Sequence, residues 1–290
     1  MLKNYLTLLT IGLIWGSQFI FQTMALEAFS PVWIGTLRAV FGAFTVGVIC
    51  RFMGLHSTSN QWKLFAMIGL LEATIPFVLV PWAQKELSSS VTAILMGTLP
   101  FYALLLAPLF IQNSKVTKGS LFSVCIGFAG LMVLFYPDLI SGNQQFNMLS
   151  AFAVILAAVC FAIALLLLNK VQAEHPMIVA RNVLIMASLQ LVIFASVTAP
   201  FTLGEVSSHA LGSIIYLGVM CAGVVYYLYM MSIKNAGAVF TSMTNYLVPA
   251  VGVFIAALVT DESIQTTTWV ALVVILSALL FKQMAEKNEQ

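Results

Sequence analysis

The chain has 290 residues, of which 61% are apolar and only 8% are charged, and its mean hydropathy is +1.03. An average soluble domain carries roughly 25% charged residues, so this composition excludes a water-soluble protein and indicates that lipid is the main solvent. The formal net charge of +2 is too small to indicate nucleic acid as a partner.

Ten apolar stretches separated by short polar connectors follow one another along the chain. They cover approximately residues 6–24, 32–49, 62–80, 91–110, 119–135, 148–168, 179–197, 211–231, 239–259 and 266–281. Each is long enough for a helix across a hydrocarbon core of about 30 Å, and in lipid only helices or closed barrels satisfy every backbone group. Alternating strand patterns are absent. The sequence therefore predicts an all-α integral membrane protein with ten transmembrane helices.

Lys and Arg residues are distributed unequally between the two sides of the predicted helices. With the N-terminus inside, nine lie on the cytoplasmic side: Lys3, Arg51, Lys63, Lys115, Lys118, Lys170, Lys234, Lys282 and Lys287. Only Lys85 lies outside, and Arg38 and Arg181 lie within apolar stretches. Because cationic loops are retained in the cytoplasm, this bias predicts a multi-pass protein of the inner (plasma) membrane with both termini cytoplasmic.

The two halves of the chain share landmarks at a constant spacing. An offset of 149 residues separates three pairs: Gly69 and Gly218, Lys85 and Lys234, Pro100 and Pro249. These pairs predict a duplicated five-helix unit, with residues 1–142 as the first repeat and 143–290 as the second. Because five is odd, the second copy enters the membrane inverted, as in many secondary transporters that use alternating access.

The residue types that usually carry metal, cofactor or catalytic chemistry are scattered. The four Cys lie in or beside apolar stretches and the three His lie in loops, and no nucleotide-binding loop is present. An intramembrane enzyme would need clustered His, Asp or Ser. We therefore expect no cofactor, no metal site and no enzymatic activity.

Two charged residues lie inside predicted helices, where a central charge costs roughly 2.5 to 3.5 kcal/mol. Glu72 follows Lys63 by nine residues, or about 14 Å of helix, and Arg38 precedes Arg51 by thirteen, or about 20 Å. These heights allow the two to pair. Either they neutralise each other as a buried strut, or they face a cavity, where Glu72 binds a proton or a substrate amine and Arg38 binds a carboxylate.

Further candidates lie on the first and third predicted helices. Trp15, Gln18 and Gln22 have i, i+3, i+7 spacing and share one helix face, which favours either a cavity wall or interhelical hydrogen bonds. Pro76 and Pro81 follow Glu72. Each removes a backbone donor and favours a kink, so we consider both as gating residues.

Four more candidates come from other helices. Asn245 in the ninth helix could anchor substrate or bond to a neighbouring helix, and Tyr102 lies at the corresponding level of the fourth. Trp82 and Tyr226 align with the helix of Glu72 or with its repeat partner. Interfacial anchoring is the alternative for these two rings.

The order of motifs resembles the EamA family of the drug/metabolite transporter superfamily across all ten predicted helices. The residues that carry the resemblance are Trp15-Gly16, the segment from Pro31 to Arg38, the segment from Gly69 to Phe77, Leu99-Pro100-Phe101, and Leu247-Val248-Pro249 followed by Glu262. The resemblance implies a ten-helix inverted-repeat transporter with a central cavity. Such proteins usually export amino acids, other small metabolites or toxic organic compounds. An acid at Glu72 departs from the family's small or amide residue there, which favours proton coupling or a cationic substrate group.

Together these features predict a secondary active transporter that exports amino acids or similar small metabolites by alternating exposure of a mid-membrane cavity lined by helices one to four and six to nine. Protons are a candidate coupling partner through Glu72. A multidrug or organic-cation exporter is the alternative, and an importer or a channel is favoured less. The sequence leaves open the substrate, the direction, the coupling ion and the choice between monomer and homodimer.

Overall fold

The computed structural model describes residues 2–56, 59–110, 118–141, 147–171, 174–200, 206–236, 244–259 and 264–288. The helices in these ranges are α1 (Leu2–Leu26), α2 (Pro31–Phe52), α3 (Trp62–Ala83), α4 (Ser89–Phe110), α5 (Lys118–Ser141), α6 (Met148–Leu168), α7 (Pro176–Thr198), α8 (208–236), α9 (Thr244–Val259) and α10 (Thr266–Asn288). Helix α4 is interrupted between Met96 and Leu99. The described residues form no strand, which confirms the all-α class.

Three of the helices begin at a serine that caps the first turn. The side chains of Ser30, Ser88 and Ser207 accept from backbone N–H groups three residues later, at 3.5, 3.3 and 3.1 Å. A serine cap satisfies a backbone donor that has no partner inside the helix. Pro31 follows Ser30 directly, at a position where the missing N–H has no cost. These starts come from local sequence and therefore agree with the predicted helix boundaries to within a few residues.

Among the described residues, seven helices are long and apolar enough to cross a membrane: α1 to α4 and α6 to α8. Helices α5, α9 and α10 contain shorter apolar stretches, at Val124–Leu134, Leu247–Val259 and Thr266–Ala278. The protein is therefore a multi-span membrane protein. The number of ten crossings stays a prediction.

Helices from the two halves of the chain pack mainly against each other. Helix α1 packs against α8 and α9, α2 against α7 and α8, α3 against α6 and α7, α4 against α6 and α9, and α5 against α10. If each helix of the first half is exchanged with its counterpart in the second half, α1 with α6 through α5 with α10, the same set of helix pairs is in contact. Neither half could bury its apolar faces by itself, so the core of the protein lies between the halves.

Glycines allow several of these helices to approach closely. A Cβ at Gly16 of α1 would lie 2.6 Å from Cβ of Val251 in α9, and one at Gly252 would lie 3.4 Å from the Gly16 carbonyl oxygen. A Cβ at Gly35 of α2 would lie 2.7 Å from the carbonyl oxygen of Phe77 in α3. That carbonyl has no helical donor four residues later because Pro81 lacks an N–H.

We expect Gly35→Ala to destabilise the purified protein by about 1 to 3 kcal/mol, because the added methyl must push the α2 and α3 backbones apart. The measurement is thermal unfolding in detergent. Gly47→Ala is the matched control in the same helix, since no atom of the described residues lies within 4 Å of its added Cβ and alanine has the higher helix propensity. Equal transition temperatures for the two variants would contradict this account of the contact.

Candidate functional site

A cavity of about 260 Å³ lies among α1, α2, α3, α4, α6, α8 and α9. One part of its wall is polar or aromatic and is formed by Trp15, Gln18, Gln22, Arg38, Glu72, Tyr226 and Tyr229. Another part is apolar and includes Phe77, Met96, Phe161, Leu165, Leu168, Met230 and Val248. The sequence predicted lining by helices one to four and six to nine. Among the described residues, α7 contributes no lining side chain.

Arg38 is held in the cavity wall by neutral groups. Its Nη2 donates to Gln18 Oε1 at 2.6 Å and its Nη1 donates to Gln22 Oε1 at 3.3 Å. The guanidinium carbon lies 4.1 Å from the centre of the Phe77 ring, a cation–π contact. The side chain is buried, and its Nε has no hydrogen-bond partner in the part of the chain that the structure describes. No carboxylate neutralises this guanidinium among the described residues.

Glu72 lies on the same cavity but has a different partner. Its Oε1 accepts a hydrogen bond from the Tyr226 hydroxyl at 2.7 Å. Within the described parts of the chain, no ion pair joins Glu72 to Arg38. Both side chains line the cavity, so a guanidinium and a carboxyl group border one space and each is held by neutral protein groups.

Both helices that hold this hydrogen bond contain a π-helical turn. In α3 the turn spans Leu70–Thr74 and includes Glu72, and in α8 it spans Met220–Val224 and ends just before Tyr226. The N–H of Ile75 bonds to the carbonyl of Leu70, five residues earlier. Pro76 follows and cannot donate to the Glu72 carbonyl. Single π turns inside α-helices occur frequently at functional sites.

The polar face of α1 lines the cavity along its length. Trp15, Gln18 and Gln22 are all in the wall, and substrate binding by them stays a prediction. Gln18 and Gln22 bond to Arg38, and Gln22 also bonds across helices to Gln84. Trp15 Nε1 donates to the Cys221 carbonyl at 3.2 Å, within the π turn of α8.

The other candidates lie at different places. Pro76 lines the cavity, whereas Pro81 is buried outside the described lining. Tyr102 is buried beside Phe128 of α5, with ring centres 6.3 Å apart, and is not a lining residue. Trp82 is 38% exposed and also lies away from the lining.

Asn245 belongs to α9, but its side chain is outside the part of the chain that the structure describes. The substrate-anchoring role considered for it therefore stays a prediction.

Sequence reasoning missed two parts of the site. The apolar wall from α6 consists of Phe161, Leu165 and Leu168. Their i, i+4, i+7 spacing marks one helix face, but an apolar face toward a cavity has the same composition as one toward lipid. The other omission is Gln84, which is buried at the end of α3 and bonds to Gln22. A polar side chain at the end of an apolar stretch gives no signal that it is buried.

Comparison with known proteins places these features in a family. A model of the EamA-like transporter family matches residues 2–136 and again residues 148–282. The chain is 22% identical over 284 residues to the uncharacterized transporter YoaV of Bacillus subtilis strain 168, covering 97% of this chain and 94% of that protein. It is 21% identical over 276 residues to the uncharacterized inner membrane transporter YedA of Escherichia coli K12, covering 94% and 88%.

The fold has a counterpart among solved structures. A chain in one crystal structure superposes with a TM-score of 0.72 at 14% identity, and the match covers 99% of both chains. The two matches to the family model together cover nearly the whole sequence, one in each half. The chain therefore belongs to the EamA-like transporter family and is a membrane transporter.

Proposed function

We propose that this transporter is a secondary active exporter of amino acids or similar small metabolites, working by alternating access, with Glu72 as a proton-coupling or amine-binding group. The observation that carries the proposal is a single cavity bordered by a cation and a carboxyl group that do not bond to each other. Arg38 bonds to Gln18 and Gln22, and Glu72 accepts from Tyr226. A small zwitterion has the complementary pair of charges.

The contacts of Arg38 support the binding of a carboxylate. Guanidinium groups bind carboxylates through two parallel charge-assisted hydrogen bonds, which are roughly twice as strong as bonds to neutral acceptors. An incoming carboxylate can therefore replace the amide oxygens of Gln18 and Gln22. The Nε of Arg38, which has no partner within the described ranges, is a third donor.

The size and the apolar wall support a small metabolite with an apolar portion. The cavity of about 260 Å³ is smaller than the roughly 300 to 1,000 Å³ of typical sites for drug-sized ligands. Phe161, Leu165 and Met230 supply apolar surface beside the charged groups. A multidrug or organic-cation exporter is the second candidate, because Trp15, Tyr226 and Tyr229 form an aromatic group near Glu72 that could hold a cation.

Several features support two inverted repeats, residues 1–142 and 143–290, as the basis of alternating access. The two π turns lie in α3 and α8, which occupy equivalent places in the halves. Gly69 of α3 packs against the carbonyl of Val183 in α7, and Gly218 of α8 packs against Phe41 in α2. Equivalent glycines thus make equivalent contacts across the halves. Both termini are proposed to be cytoplasmic, in the inner membrane, from the distribution of Lys and Arg.

Counterflow in proteoliposomes tests the proposed function. Vesicles loaded with unlabelled L-leucine are diluted into a trace of labelled L-leucine, and transient accumulation above equilibrium is expected for a carrier. A channel gives equilibration without accumulation. If tetraethylammonium shows counterflow and L-leucine does not, the organic-cation alternative replaces the present proposal.

We expect Pro76→Ala to slow this exchange by roughly tenfold, equivalent to about 1.4 kcal/mol on the rate-limiting barrier. Alanine restores a donor for the Glu72 carbonyl and so favours a regular helix over the π turn, which makes α3 stiffer. The initial rate of counterflow is measured. Pro108→Ala, a proline inside α4 away from the described lining, is the control. A loss of the same size in both variants would argue against gating at Pro76.

A further inference from the structure

A chain of buried hydrogen bonds leads away from the cavity toward the turn between α3 and α4. Arg38 Nη1 donates to Gln22 Oε1 at 3.3 Å, and Gln22 Nε2 donates to Gln84 Oε1 at 2.6 Å. Gln84 Nε2 then donates to the backbone carbonyl of Phe19 at 3.0 Å. The cation of the cavity is thereby linked to a residue just beyond the last turn of α3.

At the end away from Arg38, this series of hydrogen bonds holds three helices together. Gln84 Nε2 lies 3.3 Å from Thr23 Oγ1 of α1 and 3.4 Å from Ser89 Oγ at the start of α4. The hydroxyls of Thr23 and Ser89 are 3.0 Å apart. Gln22, Gln84 and Ser89 are exposed by only 1, 5 and 0%, so bulk solvent has little access to these bonds. Breaking one of them leaves a buried polar group unsatisfied.

The direction of donation is determined from the Arg38 end. A guanidinium can only donate, so Gln22 must present its oxygen to Arg38 and its amide nitrogen to Gln84. Gln84 must then accept with its oxygen and donate with its nitrogen to the Phe19 carbonyl. If Arg38 turns its Nη1 to another acceptor, Gln22 loses the partner that orients it, and the next bond in the chain is weakened.

The same three helices, together with α6, form an apolar seal at this end of the cavity. Phe19 of α1 and Val80 of α3 line the cavity and are buried in one cluster with Ala93 of α4 and Ala157 of α6. Separation of α1 from the end of α3 and the start of α4 would open the cavity on this side. The hydrogen bonds of Gln84 join these elements just beyond the seal.

We propose that Gln84 is a positioning residue that bonds to Gln22, whose amide is oriented by Arg38, and that holds the α3–α4 turn closed against α1 while Arg38 has no carboxylate. The proposal rests on the proposed function, in which a substrate carboxylate binds Arg38. The carboxylate takes over the Nη donors, since it is the stronger acceptor. Gln22 then loses its orientation, the bonds of Gln84 weaken, and the cavity opens at the α3–α4 turn.

A buried reporter in this turn measures opening. Leu87→Cys is placed in a chain whose four native cysteines are replaced by Ala, and its reaction with a membrane-impermeant maleimide is followed. Leu87 is 3% exposed, so labelling requires opening. Lys85→Cys, at an exposed position of the same turn, shows that the reagent reaches this side of the membrane.

We expect Gln84→Leu to raise the labelling rate of the reporter about tenfold, because an opening equilibrium changes tenfold for about 1.4 kcal/mol, and that is the order of one net hydrogen bond. Arg38→Met should raise it as well, since Gln22 is then no longer oriented. Gln190→Leu is the matched control. Gln190 also makes two interhelical bonds, accepting from Thr74 Oγ1 at 2.7 Å and donating to the Ala66 carbonyl at 2.9 Å. It does not belong to the series of hydrogen bonds that runs from Arg38 to Gln84.

Ligand probes test the connection to Arg38. They are added to the Leu87→Cys reporter in which the hydrogen bonds from Arg38 to Gln84 are native. L-leucine should raise the labelling rate, whereas L-leucinamide, which keeps the amine but lacks the carboxylate, should not. Thr23→Val, which removes one hydroxyl at the far end with little change in shape, is the second variant. It should also raise the labelling rate, and it provides the test if Gln84→Leu does not yield folded protein.

The outcomes separate this proposal from the proposed function. The role of Gln84 is overturned if the reporter is labelled at the native rate in the Gln84 and Thr23 variants while Lys85→Cys reacts. It is also overturned if Gln190→Leu raises the labelling rate as much as Gln84→Leu does. If the Gln84 and Arg38 variants open the turn but L-leucine does not, Gln84 keeps its positioning role and the amino-acid carboxylate is wrong as the cargo group.

Discussion

Arg38→Lys is expected to weaken the binding of L-leucine by at least about 30-fold, because loss of a paired, buried charged hydrogen bond costs about 2 kcal/mol or more. Lysine keeps the positive charge. Its single ammonium cannot bond to Gln18 and Gln22 in the plane of a guanidinium and also stack on the Phe77 ring. The measurement is the concentration dependence of thermal stabilisation of the purified protein by L-leucine.

Arg181→Lys is the control for this variant. Arg181 of α7 bonds to the neighbouring Asn182 through its Nε and Nη2, so the same substitution is made at a half-buried arginine outside the described lining. Binding of L-leucine should be unchanged there. An unaltered affinity in Arg38→Lys itself would rule out a bidentate carboxylate site at Arg38.

Glu72→Gln is expected to abolish transport driven by a pH gradient while counterflow of L-leucine continues. Glutamine keeps an acceptor for the Tyr226 hydroxyl, whose bond to Glu72 is 2.7 Å long, so the shape of the site is preserved. It cannot take up and release a proton. For proton-coupled export, native vesicles should transport L-leucine toward the more acidic side, because the proton moves in the opposite direction.

The matching control is Glu86→Gln, which removes a carboxylate from the exposed α3–α4 turn. It should respond to the pH gradient as the native protein does. Full gradient-driven transport in Glu72→Gln would remove the coupling role of Glu72. Loss of both driven transport and counterflow would instead assign Glu72 to binding of the substrate amine.

The sequence was most informative where membrane physics allows few alternatives. Apolar stretches must be helical in lipid, and the helices found follow those stretches closely. A charge inside such a stretch needs a reason, and both Arg38 and Glu72 line the cavity. What these two bind is still a prediction.

Partners were harder to predict than positions. Helix rise gives the height of a residue in the membrane but not the direction in which its side chain points. Heights alone therefore allowed Arg38 and Glu72 to pair, although each has a neutral partner from another helix. The π turns at Leu70–Thr74 in α3 and Met220–Val224 in α8 shift the register of both helices relative to a regular helix, so helix periodicity could not have located Tyr226 opposite Glu72.

The glycine contact between α1 and α9 constrains how the protein can change shape. Gly16 and Gly252 bring the two backbones so close that side chains cannot rearrange between them, and sliding one helix past the other would create steric overlap. We therefore expect α1 and α9 to travel together as one rigid body. Since they come from opposite ends of the chain, the bodies that rock during a cycle would each combine helices from both halves.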